Sequence, residues 1–229
     1  MHRVNFVKQV LQISIVIFFL FLFSTICSAA KITDTANSRQ WATIDGFRSA
    51  KFGFNESSIF RAIKKDFQIN KKAVSRGKNS SEKTTFLMID VKDLFVGSGP
   101  SKVVYIFGFK SKKLIQVKVV WGRPAQKKPD VEKIVSVATQ LSNYFSQKIY
   151  QKNGFVSHKK ISEGIILVFQ GRDKKGRTAR LLLSNPKNKD DKAGENITLT
   201  LAYIEKPEDP DVFKIKYGDL LFMRLLALY

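Results

Sequence analysis

Few side chains in this sequence could combine to do chemistry. There is a single cysteine, Cys27, and there are two histidines, His2 and His158. A Ser-His-Asp relay in the body of the chain would have to run through His158, which stands among Ser157, Lys159 and Lys160. No carboxylate lies at a spacing that would orient its ring, and a zinc site would lack companions. Its neighbours predict a solvent-facing loop. Asp90, Asp93, Glu163 and Asp173 are the carboxylates that strand ends could bring together for acid–base hydrolysis. Gly97-Ser98-Gly99 looks like the start of a phosphate-binding loop, but such a loop feeds a helix whose N-terminus receives the anion. Here Pro100 and a β-favouring run follow, so the segment reads as a turn. Neither a cofactor nor a metal is expected. Asn55-Glu-Ser57, Asn79-Ser-Ser81 and Asn196-Ile-Thr198 are formal glycosylation sequons that matter only in a eukaryotic source, and a bacterial source is expected.

The elements that must position these residues are easier to read. Asn55 can cap a helix over residues 56–67, with Glu56 at the positive end of its dipole and Lys64 and Lys65 near the other. Ile59, Ile63 and Phe67, with Phe60 beside them, form one apolar stripe. After a charged stretch, 70–83, expected as an exposed loop, three β-favouring runs follow at 84–91, 103–109 and 114–121. The last alternates Ile115, Val117, Val119 and Trp121 with polar residues, the period of a half-buried strand. Asp130 caps a second helix to about Tyr150, with Ile134, Ala138, Leu141 and Phe145 on one face. Three more runs, 165–170, 177–184 and 197–204, complete the pattern, and Asp173-Lys-Lys-Gly176 makes a tight turn between the first two. Short links between successive strands predict antiparallel pairing.

The N-terminus has the order of a secretory signal: Arg3 and Lys8 without an acid, an apolar run of 14 residues over 13–26, then Ser28, Ala29 and Ala30. Cleavage is expected after Ala30 or Ala29, leaving an exported, periplasmic protein. The alternative is an uncleaved membrane anchor over 10–26. Ile26 is a poor residue before Cys27 for lipid attachment, so the cysteine leaves with the signal, and disulfides and thiolate chemistry leave with it. Residues 31–46 read as a flexible lead-in. Beyond Pro207 and Pro210 the tail could form an edge strand over 212–217. A short helix could follow, apolar on nearly every side. Leu221, Phe222, Leu225 and Leu226 there are the candidate interaction residues.

The formal charge is +21, and 30 of the 40 basic residues are lysine, spread along the chain. Such a balance favours anionic partners. Lysine has no planar fork for reading phosphates, and a solvated lysine-rich surface accounts for the charge equally well. An exported chain is not expected to meet nucleic acid.

Lys51-Phe-Gly-Phe-Asn-Glu56, with Ile59 and Ile63, resembles the opening of the BamE/SmpA-like module. Its members share a glycine, a small polar cap, an acid and apolar helix positions before a three-stranded antiparallel sheet. Two such modules in tandem look like the architecture of β-lactamase inhibitory protein. The second helix, opening Pro129-Asp-Val-Glu132, lacks the glycine, and the family's lipid anchor has no good counterpart here. The fold expected is α+β: two helix-plus-three-stranded units in tandem, over 47–122 and 129–206, after a cleaved signal peptide, with the tail at 207–229. The resemblance implies a non-enzymatic cell-envelope protein that binds a protein partner. The alternatives are a lysine-rich binder of anionic envelope polymers or lipid headgroups, and a carboxylate-dependent hydrolase.

Overall fold

The computed structural model of the chain describes residues 39–186 and 195–214. The expected signal segment, residues 31–38 of the lead-in and the tail beyond Lys214 lie outside them.

Helix α1 (Glu56–Phe67) and helix α2 (Val131–Ser146) begin where their caps predict. The Asn55 side chain accepts a bond from the Ser58 N–H at 2.9 Å, and that of Asp130 from the Lys133 N–H at 3.0 Å. Each satisfies an amide that the first helical turn leaves without a partner. Ile59 and Ile63 of α1 are fully buried, as are Ile134 and Val137 of α2 to within 2% exposure.

Each helix is followed by four strands, one more than expected. After α1 come β3 (Ser75–Lys78), β4 (Thr85–Val91), β5 (Ser101–Phe107) and β6 (Leu114–Gly122). After α2 come β7 (Val156–Ser162), β8 (Ile165–Arg172), β9 (Thr178–Ser184) and β10 (Thr198–Ile204). The eight strands form one antiparallel sheet in the order β3-β4-β5-β6-β10-β9-β8-β7. Instead of two separate three-stranded sheets, β6 and β10 pair directly, Val119 opposite Leu201, and close both sets into one. The physical reason is visible at that seam: Val117, Val119, Trp121, Leu199 and Leu201 are all essentially unexposed, and parting the strands would open them to water. The two unexpected strands, β3 and β7, are the outer edges. Ser75-Arg-Gly-Lys78 and Val156-Ser-His-Lys-Lys-Ile-Ser162 are mostly exposed and cationic, which discourages edge-to-edge association.

Side chains alternate across the sheet. Leu87, Tyr105, Val117 and Tyr203 lie in one cross-strand row, and Ile89, Val103, Val119, Leu201, Leu181 and Phe169 in the next. Both helices pack on this face, and their buried residues join these rows in one continuous core. Phe145 of α2 stacks on Phe169 with ring centroids 5.1 Å apart.

The described part of the expected flexible lead-in, residues 39–46, is tied down between the helices. Trp41 bridges Ile149, and the Ala42 N–H donates to the Ile149 carbonyl at 2.9 Å. Next come two short paired strands, β1 (Gly46–Phe47) and β2 (Ala50–Lys51). Between them Arg48 donates to the Leu94 carbonyl at 2.6 Å and stacks over Phe67. Phe47 meets Phe67 of α1 on one side and Tyr203 of β10 on the other, so the segment fills the gap between the two helices.

Candidate functional site

The carboxylates that could have converged do not. Asp173 is buried at the β8–β9 turn, where it accepts from the amides of Ile44, Lys175 and Arg177 at 3.0, 2.8 and 3.0 Å. All three donors are backbone amides, one of them from the lead-in, so the carboxylate fastens the lead-in to the turn. Asp93 accepts from the Gly99 N–H at 2.6 Å inside the 93–99 loop. There Gly97 and Gly99 have φ of 80° and 71°, and the Ser98 hydroxyl accepts from the Leu94 N–H, so the glycine pair is a turn. Asp90 pairs with Lys102 at 2.5 Å, and Glu163 is exposed in the β7–β8 turn. Glu163 and the 93–99 loop share one end of the sheet, but Asp173 lies at the other. Four strand steps separate β5 from β8, roughly 19 Å at the usual spacing.

His158 is not in a loop before a strand. It lies within edge strand β7, exposed and with φ of 52°, and its Nδ1 is 2.6 Å from the Ser157 hydroxyl. No carboxylate is bonded to it. Among the described residues no three His, Cys, Asp or Glu come together as a metal site. Leu221, Phe222, Leu225 and Leu226 lie outside the described residues.

The feature with functional promise is the other face of the sheet, where no helix among the described residues packs. Phe86 and Ile106 lie in one row with Gln116 and Ile204. Met88, Val104, Lys118, Ala202 and Arg180 form the next, and Lys102, Val120, Thr200, Leu182 and Leu167 the third. Phe86, Met88, Val104, Ile106, Val120 and Leu182 are half-buried, and the described residues supply no second layer over them. The Phe86 ring lies over Gly77 of β3, in the space a Cβ there would need. At the centre stands Lys118, half-buried, with no ion-pair or hydrogen-bond partner among the described residues. Arg180, two strands further along the row, donates to Gln170 at 2.8 Å, and Asp90 at the margin is the acid among these rows. The face is therefore a mixture of apolar side chains with the cations Lys102, Lys118 and Arg180, a pattern that would receive carboxylates set among apolar side chains.

No family model, curated protein or solved structure matches the chain. The geometry therefore carries the reading alone. One end of this face is bordered by residues 205–213. They leave β10 and cross the β5–β6 turn: the Glu205 N–H donates to the Ile115 carbonyl and the Phe109 N–H to that of Asp211. The Asp211 carboxylate accepts from the amides of Lys110 and Ser111 at 2.9 and 2.8 Å, a pair of backbone donors shaped for an anion. Burial alone would raise the Asp211 carboxyl. The hydrogen bonds from Ser111 and Lys110 and the Lys110 charge outweigh it and hold the group below the ordinary carboxylate range. Gly108 leaves room for this carboxylate, because a Cβ there would stand 2.2 Å from its oxygen and push it aside. Phe213 then packs edge-on against Phe109, with its N–H donating to the Glu82 carbonyl. Residues 212–214, the described start of the expected edge strand, belong to this strap and pair with no strand. No helix among the described residues is long and apolar enough to cross a membrane.

Proposed function

We propose that the protein is a non-enzymatic, exported cell-envelope component that binds a protein partner on the helix-free face of its sheet. The observation that carries this reading is Lys118: an ammonium without a partner among the described residues, set beside Val104, Val120, Ile106 and Ala202 on a face that no described helix covers. A lone half-buried cation is costly in a finished core and useful in an interface, where a partner carboxylate neutralises it. The partner is a protein surface with one or more carboxylates between apolar side chains. The N-terminal order of charge, apolar run and small residues supports export. The element order, helix and then strands, twice, supports two related units and the resemblance to paired BamE/SmpA-like modules.

The test is a capture from the native envelope with wild-type protein, Lys118→Glu and Lys64→Glu. Lys64 is exposed on α1 and serves as the charge-matched control. A protein retained by wild type and Lys64→Glu but lost by Lys118→Glu supports the reading. Equal recovery by all three overturns this face as the docking surface. Binding that collapses with salt in both variants would favour instead the lysine-rich binder of anionic polymers or headgroups.

A further inference from the structure

The helix-bearing face holds a second candidate site, independent of the first. Between residues 40–48 of the lead-in and the last turn of α2 lies a cavity of about 390 Å³, a size that suits a molecule of one or two rings. The lead-in forms one side of it, held to the end of α2 by its bonds to Ile149, and Tyr203 of β10 joins the lining. Its walls are aromatic. Trp41 and Tyr144 are 42% and 59% exposed, so both rings keep apolar area that a ligand could cover.

The polar groups in the walls are sorted by charge. Asp45, the acid of the lining, is engaged by Lys51 at 3.0 Å. Arg48 is committed to the Leu94 carbonyl and to the Phe67 ring. Lys148 is half-buried at the cavity wall, and its ammonium has no partner among the described residues. Lys174 stands 4.6 Å from the centre of the Trp41 ring, adding a second positive charge nearby. The Tyr203 hydroxyl also has no hydrogen-bond partner among the described residues. Burial, with smaller contributions from Tyr144 and Tyr150, pushes its ionisation upward, so it stays a neutral donor. The free groups are thus a cation and a hydroxyl donor in a lining that also holds Trp41 and Tyr144.

We propose that this cavity binds a small organic anion: a flat, ring-shaped apolar body stacked by Trp41 and Tyr144, with its carboxylate on Lys148 and the Tyr203 hydroxyl. An aromatic wall alone would accept a neutral ring equally well, whereas the unpartnered ammonium selects for charge.

The experiment uses 1-naphthoate as probe with the full chain, followed by calorimetry and by Trp41 emission, with Trp121 fully buried as the unresponsive background. Saturable one-to-one binding is expected, about tenfold weaker for the neutral 1-naphthalenemethanol and for Lys148→Met. Tyr203→Phe is expected to weaken binding about threefold. Lys128→Met, an exposed lysine away from the cavity, should bind as wild type does. The proposal is overturned by equal binding of acid and alcohol, by undiminished binding to Lys148→Met, or by an absence of saturation. A loss in Lys128→Met as large as in Lys148→Met would also overturn it, because the probe would then be reading overall charge. If Tyr203→Phe fails to fold, the half-exposed Lys148 position carries the test alone.

Discussion

Val119 and Val120 adjoin on β6, carry the same side chain and live in different surroundings. Val119 is fully buried beneath the helices, whereas Val120 lies half-buried on the face they leave open. The same contrast runs along β5, where Val103 is buried and Val104 is not covered. The helix-side face of β4, β5 and β6 is almost wholly apolar, whereas their open face mixes Phe86, Met88, Val104, Ile106 and Val120 with Asp90, Lys102, Gln116 and Lys118. Here the described residues supply one cover. The open face is thus a half-buried apolar surface interrupted by Lys102, Lys118 and Arg180, and that mixture is the ground for proposing a partner there.

The comparison breaks most sharply at those paired positions. Val119→Asp should cost several kcal/mol, a large part of the ~5–15 kcal/mol that holds a domain together, because the carboxylate is buried without a partner. Val120→Asp, beside it, should cost about 1 kcal/mol or less. Chemical denaturation of both proteins measures this, and similar losses would mean that the open face is in fact sealed. Ile63→Asp against Lys64→Asp repeats the test on α1: Ile63 is fully buried and Lys64 exposed, so the first should be crippled and the second nearly unchanged.

Asp173→Ala removes the acceptor from three amides, one of them in the lead-in, and should cost about 2–3 kcal/mol. Hydrogen exchange should show the Ile44 amide losing protection before the strands do. No such loss would mean that the lead-in holds without the turn.

A smaller effect is expected at the strap. The Asp211 carboxyl is lowered in the folded protein, so its stabilisation is full above the unfolded value of about 3.9 and is lost as pH falls through the lower folded value. Asp211→Asn should therefore lower the melting temperature slightly at neutral pH and close the gap to wild type in acid. A gap that widened on acidification would contradict the assignment. Smallest of all in stability is Lys118→Glu, within about 0.5 kcal/mol, which makes it a clean test of binding.

The helices were legible because their signals are local. Asn55 and Asp130 cap by reaching three residues along the chain, and apolar stripes at helical spacing show which side is buried. Six of the eight sheet strands were legible for a similar reason: alternation or an apolar run marks them without reference to any partner. Strands β3 and β7 were not. Arg76, Lys78, Lys159 and Lys160 look like loop residues because, at the edges of the sheet, exposure on both sides leaves no periodic signal. Likewise nothing local in Asp173 announces that its third donor comes from Ile44, 129 residues away.

Where the helices start, which of their faces are apolar, and that most strands are antiparallel neighbours can all be read along the chain. These follow from capping, periodicity and link length, all carried within a dozen residues. Only the tertiary structure decided that β6 joins β10, so that two runs of strands share one sheet and one core. That pairing rests on burying Val117, Val119, Trp121, Leu199 and Leu201 together, contacts made across some 80 residues of chain that no local pattern encodes. It also decided that Lys118 would stand at the centre of a face and not at its edge, because a strand's place in a sheet belongs to the sheet and not to the strand.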